Sequence, residues 1–278
     1  MTVLLYAMRI ICAAGQSAVG KQYARLGGDS LSFNLNKALS GTVMFLVYGC
    51  ITGFSFHLPT VLLGLGYGLA FCCAMHTGFK ALSMGPMALT SMIASFSLII
   101  PFFFGIFLWN EELTGFKAFG IVLLLASILL INAKKESGFS FLWLLYALLT
   151  LVADGVSSVV QKLHQLQFPG LYRTEFMSWA LLCAFVILAG TAVQTKDAKN
   201  RVKFSLLGLT AGAMNCSSDY IVLYLSATES ASVLFPIVSI ANIIAVWLIG
   251  VVIFKERLRR TQALGLIVGV ASVVLLKM

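Results

Sequence analysis

Three features of this chain predict an all-α integral membrane protein of ten transmembrane helices, arranged as two inverted five-helix repeats. Hydrophobic residues make up 60% of the sequence and charged ones 10%, against roughly 25% charged in an ordinary soluble domain. The apolar residues gather into ten runs, each near the ~20 residues that a helix needs to cross the hydrocarbon core of a bilayer. The first half also returns in the second at a spacing of 140 to 145 residues: Leu4-Leu5-Tyr6-Ala7 as Leu144-Leu145-Tyr146-Ala147, Leu62-Leu63-Gly64-Leu65 as Leu206-Leu207-Gly208-Leu209, and Glu111-x-Leu113 as Glu256-x-Leu258. Residues 1–137 form the first unit and 138–278 the second.

The first five spans run from Val3 to Tyr23, Phe33 to Phe54, Leu58 to Ala81, Pro86 to Trp109 and Phe116 to Ala133. In span one, Arg9 shares a helical stripe with Ala13, Gln16 and Gly20. It lies two turns from an end, so it either snorkels to the interface or faces a cavity, where it would meet an anionic group of a substrate or of the protein. Span two brings Asn36, a candidate for substrate hydrogen bonds, and Lys37; Lys21, Lys37 and Lys80 are read as rim residues that set topology. Span three carries Gly64, Gly68, Cys72 and His76 at four-residue steps, with His76 either a proton carrier or a hydrogen-bonded structural residue. Span four contains Pro101, which frees a backbone carbonyl one turn earlier and makes this helix a gate or a plain bend. Phe102, Phe103, Phe104, Phe107 and Trp109 surround it.

The second five spans run from Ser140 to Lys162, Tyr172 to Gln194, Phe204 to Ser226, Ser230 to Phe254 and Thr261 to Met278. Span six holds Asp154 near its middle, and Ser157, Ser158, Gln161 and Gln165 follow on the same helical face. A carboxylate at the bilayer centre costs about 3 kcal/mol on insertion scales, so this stripe faces either a hydrated cavity or another helix. Glu175, at the start of span seven, is expected to pair with Arg173 or Lys162. In span eight Gly208, Gly212, Asn215 and Asp219 share a face, with Ser218 and Tyr220 beside them; Tyr220 is the counterpart of His76 in the repeat. Span nine has Pro236 between Ser232 and Ser239, a second candidate kink or gate, and then Asn242.

Five spans per unit is an odd number, so the second unit enters the membrane from the side opposite to the first. Fourteen Lys and Arg residues fall in the connectors after spans one, three, five, seven and nine or on their flanks, against four on the other side, with Arg9 set aside as intramembrane. The positive-inside rule then places both termini outside and predicts a multi-pass protein of the cytoplasmic membrane. The six cysteines all sit inside apolar runs without metal-ligand or redox spacing, so no metal site is expected. The basic residues occupy short connectors instead of one continuous face, which speaks against nucleic acid as a partner despite the formal charge of +9. No phosphate loop, His-Glu-x-x-His or G-x-S-x-G is present, so neither ATP nor another cofactor, nor enzymatic catalysis, is expected.

Ten short helices as five plus five, with Trp109-Asn110-Glu111-Glu112-Leu113-Thr114 closing the fourth span and Phe254-Lys255-Glu256-Arg257-Leu258 the ninth, resemble the drug/metabolite transporter superfamily, in particular its EamA-type members. The likeness covers nearly the whole chain, and its most specific part is the recurrence of Glu-x-Leu at matching places. One departure is Lys37, where EamA-type members often carry Arg; lysine is a point charge without the bidentate fork. The resemblance implies a secondary carrier working by alternating access around a central cavity, in a family that moves amino acids, nucleotide sugars, sugar phosphates, choline-like cations and drugs. The expected function is movement of a small polar metabolite, by export and coupled to protons or to the substrate gradient. Arg9 suits an anionic group and Asp154 and Asp219 a cationic one, which favours an amino-acid-like zwitterion. The expected partners are that small molecule and the lipid bilayer, with the chain a monomer or a homodimer. The alternative is a membrane-embedded enzyme or flippase-type protein acting on an amphiphilic, lipid-linked substrate.

Overall fold

The computed structural model describes residues 2–101, 103–104, 114–132, 140–194, 205–225, 231–256 and 260–277, and every regular element among them is helical. In chain order these are α1 (Thr2–Arg25), α2 (Ser30–Thr52), α3 (Leu58–Met84), α4 (Met87–Ser95), α5 (Gly115–Asn132), α6 (Phe141–Gln167), α7 (Arg173–Gln194), α8 (Leu206–Leu225), α9 (Ala231–Val252) and α10 (Arg260–Lys277). Of these, α1, α2, α3, α6 and α7 are each long and apolar enough to cross a membrane. The chain is therefore read as a multi-pass membrane protein.

Local chemistry sets the helix boundaries. Gly27 takes φ +74° just after α1, a left-handed turn that glycine enters without a Cβ penalty. Asp29 then caps α2 by accepting from the Ser32 N–H at 2.7 Å, and Ser140 caps α6 by accepting from the Trp143 N–H at 3.1 Å; each supplies a helix's first turn with an acceptor it cannot find in its own backbone. Pro59 opens α3, where a missing N–H is harmless. Span four is not one continuous α-helix: α4 ends at Ser95 and gives way to a 3₁₀ turn, Phe96–Leu98, before helix resumes. The break lies one turn ahead of Pro101, whose ring displaces the carbonyl of Ser97 and withdraws its hydrogen-bond donor. By contrast, α9 shows no interruption at Pro236.

The faces of α6 show which solvent surrounds the bundle. Its exposed large side chains, Leu142, Leu145, Leu149, Val152 and Val156, form one apolar stripe. The opposite face carries Thr150, Ser157 and Gln161, all buried. A helix in water turns its apolar stripe inward; here an apolar stripe faces outward while Thr150, Ser157 and Gln161 are buried among Trp143, Ala147 and Leu151, as a hydrocarbon surround allows.

Packing follows a simple rule. Helix α3 lies along α6 and α7, just as α8 lies along α1 and α2. Helix α1 touches α9 as α6 touches α4, and α2 packs on α7, α4 on α9 and α5 on α10. Exchanging each helix with the one five places further along leaves these pairs unchanged, whereas the α9–α10 and α1–α3 contacts have no counterpart of similar extent among the described residues. Glycines make two equivalent seams possible: Gly64 and Gly68 bring α3 onto the backbone of α7 at Phe176 and Ala180, and Gly208 and Gly212 bring α8 onto the backbone of α2 at Phe33 and Lys37. The largest apolar core joins these four helices through Phe45, Phe71, Phe176, Leu181, Cys216 and Leu223.

Candidate functional site

A cavity of about 260 Å³ lies between the two halves of the chain. The structure brings Arg9, Gln16, Asp154, Ser158, Asn215, Asp219 and Asn242 to its wall, from α1, α6, α8 and α9. One further charged residue joins them. Lys37, assigned to the rim on sequence grounds, stands in the wall itself, with its Nζ 5.8 Å from the centre of the Phe71 ring. Four charged side chains, two acidic and two basic, thus share one cavity. Asp219 and Asp154 act electrostatically on both Arg9 and Lys37.

Hydrogen bonds fix most of the uncharged polar groups. Asn215 donates its side-chain amide to Asp219, and the Gln161 amide donates to the Asp219 backbone carbonyl at 3.4 Å. These two contacts tie α6 and α8 together beside a carboxylate. The Ser158 hydroxyl returns to the Asp154 carbonyl at 2.9 Å, while Thr150 on α6 donates to Thr77 on α3 at 2.9 Å. Asn242 donates to Ser95 at 3.2 Å, just where α4 ends.

Two groups in the wall lack partners. Nε and Nη1 of Arg9, and Oδ1 of Asn242, are buried with no hydrogen bond. A buried donor or acceptor left unsatisfied costs about 1–3 kcal/mol, so these atoms are suited to contacts with whatever occupies the cavity. An anionic or acceptor group would satisfy Arg9, and a donor would satisfy Asn242.

Several sequence candidates fall elsewhere, each for a geometric reason. His76 is exposed on α3 and away from the cavity. A four-residue step advances a helix by 400°, so three steps from Gly64 rotate the face by about 120°; Gly64, Gly68 and Cys72 are buried, and His76 has turned outward. Tyr220 is twelve residues from Gly208 and shows the same drift. Its ring packs on Phe45 and Tyr48, at 5.4 and 6.1 Å. Asn36 is a fastener: its amide donates to the Ser32 carbonyl at 2.7 Å and its Oδ1 accepts from the Ser205 N–H at 3.4 Å. Glu175 accepts from the backbone N–H and hydroxyl of Ser55 at 3.2 and 2.8 Å, a partner that the sequence did not suggest. Pro101 is buried but not in the wall, although Ser97, whose carbonyl it displaces, is. The side chain of Pro236 lies outside the described residues, as do Phe102, Phe107, Trp109 and Glu111.

At the lysine- and arginine-rich end the bundle is fastened by Glu256, the second Glu-x-Leu glutamate. Lys255 takes φ +54°, in the left-handed region, and the Glu256 N–H then reaches the Gly250 carbonyl at 2.9 Å. This turn aims the carboxylate at the start of α4, where it accepts from the N–H groups of Met87 and Ala88 at 2.8 and 3.3 Å. A carboxylate at a helix N-terminus is favoured by both the free donors and the helix dipole. Beside it, Lys21 donates to the carbonyls of Leu82 and Gly85 at the end of α3, and Arg25 donates to the Phe254 carbonyl at 3.2 Å. Four elements meet there. Glu256→Ala removes the acceptor from two helix donors, and we expect it to cost about 1–2 kcal/mol. At this chain length that corresponds to a drop of a few degrees in melting temperature in detergent, and Glu256→Gln, which keeps one acceptor oxygen, should recover part of it.

No protein-family model and no curated protein matches the chain. Among solved structures 28 chains match. One, a crystal structure of a protein named only as such, has a TM-score of 0.68 over 99% of this chain and 95% of its own, at 15% identity. At that identity the likeness concerns the fold alone.

Proposed function

We propose that the chain is a ten-span secondary transporter of the drug/metabolite transporter type, built from two inverted five-helix halves, that moves a small zwitterionic metabolite of amino-acid kind through the central cavity. In this reading the membrane is the cytoplasmic one, transport is alternating access, net movement is export, and protons are the coupling ion. The observation that carries it is the cavity itself, with Arg9 and Lys37 from one half facing Asp154 and Asp219 from the other. Interchange symmetry between helices five apart supports the inverted repeat, because two oppositely oriented copies of an odd-numbered unit would pack in this way.

The charge balance favours a zwitterion for a physical reason. Two fixed cations and two fixed anions sum to zero, and a ligand with one carboxylate and one ammonium keeps that sum. An uncompensated charge carried through a low-dielectric bundle is heavily penalised. The carboxylate of the ligand answers the unpartnered Arg9 donors, and its ammonium answers Asp154 and Asp219. Export in exchange for protons follows if a carboxylate takes up a proton after release; the returning site then carries one net positive charge, so the exchange moves charge across the membrane.

Proteoliposomes loaded with a panel of labelled amino acids, sugars, nucleobases and quaternary amines provide the test. Efflux of a neutral amino acid, accelerated by an inward proton gradient, is the expected result. Absence of flux for every zwitterion in the panel would overturn the reading.

A further inference from the structure

A second polar cluster sits at the opposite end of the bundle from Glu256, where the start of α3, the end of α6 and the start of α7 meet. It is separate from the central cavity, since none of its members lines it. Its centre is His164, fully buried in the last turn of α6. The His164 ring stacks on Phe176 of α7 with centroids 4.5 Å apart. His57, at the start of α3, stacks on Tyr172 at 4.5 Å and meets the edge of Phe168 at 4.7 Å. One hydroxyl joins the two imidazoles: Thr60 Oγ1 lies 3.0 Å from His57 Nδ1 and 3.2 Å from His164 Nε2.

The proton positions in this chain of bonds follow from Gln165. Its side-chain oxygen accepts from the Gly170 N–H at 3.3 Å and from Arg173 Nε at 3.5 Å. The other end of the side chain is therefore the amide nitrogen, which only donates, and it stands 3.0 Å from His164 Nδ1. Nδ1 must accept. Neutral His164 then carries its hydrogen on Nε2 and donates to Thr60, whose own hydroxyl hydrogen is left to donate to His57 Nδ1. Every bond runs in one direction, and the direction requires His164 to be uncharged.

A proton added to His164 can go only to Nδ1, where it would confront the N–H of Gln165, donor against donor. Turning Gln165 away to relieve that clash removes the acceptor of Gly170 and Arg173, the groups that hold the 168–172 turn and the start of α7. His57 is more tolerant, because the Thr60 hydroxyl can rotate to accept from both rings. The charged and titratable groups around His164 from the packed elements are His57 at the start of α3 and Glu175 on α7, with Arg173 and Tyr172 one contact further out. Glu175 attracts a charged imidazole but is already engaged by Ser55, and it does not supply an acceptor at Nδ1.

We infer that His164 is a proton-operated latch: a proton on Nδ1 expels the Gln165 amide and lets the start of α7 separate from α6 and α3 at this end of the bundle. The inference does not depend on what the central cavity carries. It gives the protein a response to acid that is separate from any proton taken up by Asp154 or Asp219.

The test is a distance measurement by electron paramagnetic resonance between spin labels at Leu58→Cys and Leu171→Cys, both exposed positions, in a background with the six native cysteines replaced. Between about pH 7.5 and about pH 3.5, low enough to charge an imidazole as fully buried as His164, the wild-type pair should shift towards a longer distance. His164→Gln, which cannot take up a proton, should abolish the shift. Gln165→Glu should abolish it independently, because a carboxylate accepts from the protonated Nδ1 and still accepts from Gly170 and Arg173. A wild-type pair indifferent to pH, or an acid shift that persists in either variant, would overturn the inference.

Discussion

Replacing Asp219 by Asn should lower transport by about two to four orders of magnitude while leaving a folded protein. The substitution keeps the size of the side chain and an oxygen for Asn215 to donate to, but deletes one of two negative charges that face Arg9 and Lys37 in the cavity. Removing one partner from a buried charge cluster leaves its opposite uncompensated, at about 3–5 kcal/mol. Since each 1.4 kcal/mol is a factor of ten, that energy corresponds to the stated loss. Asp154→Asn should do the same, and should also flatten the dependence of flux on pH if this carboxylate takes the coupling proton. The measurement is initial efflux from proteoliposomes at several pH values, with thermal stability and size-exclusion profiles as controls. Wild-type rates from either variant would remove the carboxylates from the mechanism.

The second large effect concerns assembly, not chemistry. A Cβ built on Gly212 would run into the carbonyl oxygen and Cα of Lys37, and one on Gly68 into the carbonyl oxygen of Ala180. Both obstacles are backbone, which cannot rotate out of the way as a side-chain tip can. Gly212→Leu or Gly68→Leu must therefore push α8 off α2 or α3 off α7, with overpacking costs of at least 1–3 kcal/mol. For membrane helices held together by close small-residue packing, the expected result is loss of monodisperse protein after extraction. Gly66→Leu is the control. It lies on the same helix as Gly68, yet nothing stands within 4 Å of its Cβ position, so it should extract normally. Displacing α2 through Gly212 also displaces Lys37, so the milder Gly212→Ala should weaken transport before it prevents folding.

Much of this architecture is legible in the sequence because hydrophobic length and helical period are local properties. The positions of α1, α2, α3, α6 and α7 follow from the apolar runs alone. The stripe through Asp154, Ser157, Ser158 and Gln161 also lies on the cavity wall, because steps of three and four residues keep a face together. His76 and Tyr220 were not resolvable in the same way: strict four-residue steps accumulate rotation, and alignment of two copies preserves the error in both. Lys37 was obscured by a different assumption. It lies seven residues into α2, or about 10 Å along the axis, yet a lysine near a connector reads as a topology signal in any count of charges. Moving it to the cavity leaves thirteen basic residues against four, so the orientation argument survives. Nothing in the sequence indicated the engagement of Glu256 with the α4 donors, or of Glu175 with Ser55, since each depends on segments more than a hundred residues apart meeting at a helix end.

Whether the cavity is a passage open by turns to both sides is decided most directly by the accessibility of a single cysteine in its wall. Ser158→Cys in a cysteine-free background would be exposed to a membrane-impermeant maleimide, first in intact cells and then in inside-out vesicles. Alternating access predicts labelling from both sides, slowed in each case by a saturating transported zwitterion. Labelling from one side only, or from neither, would contradict it.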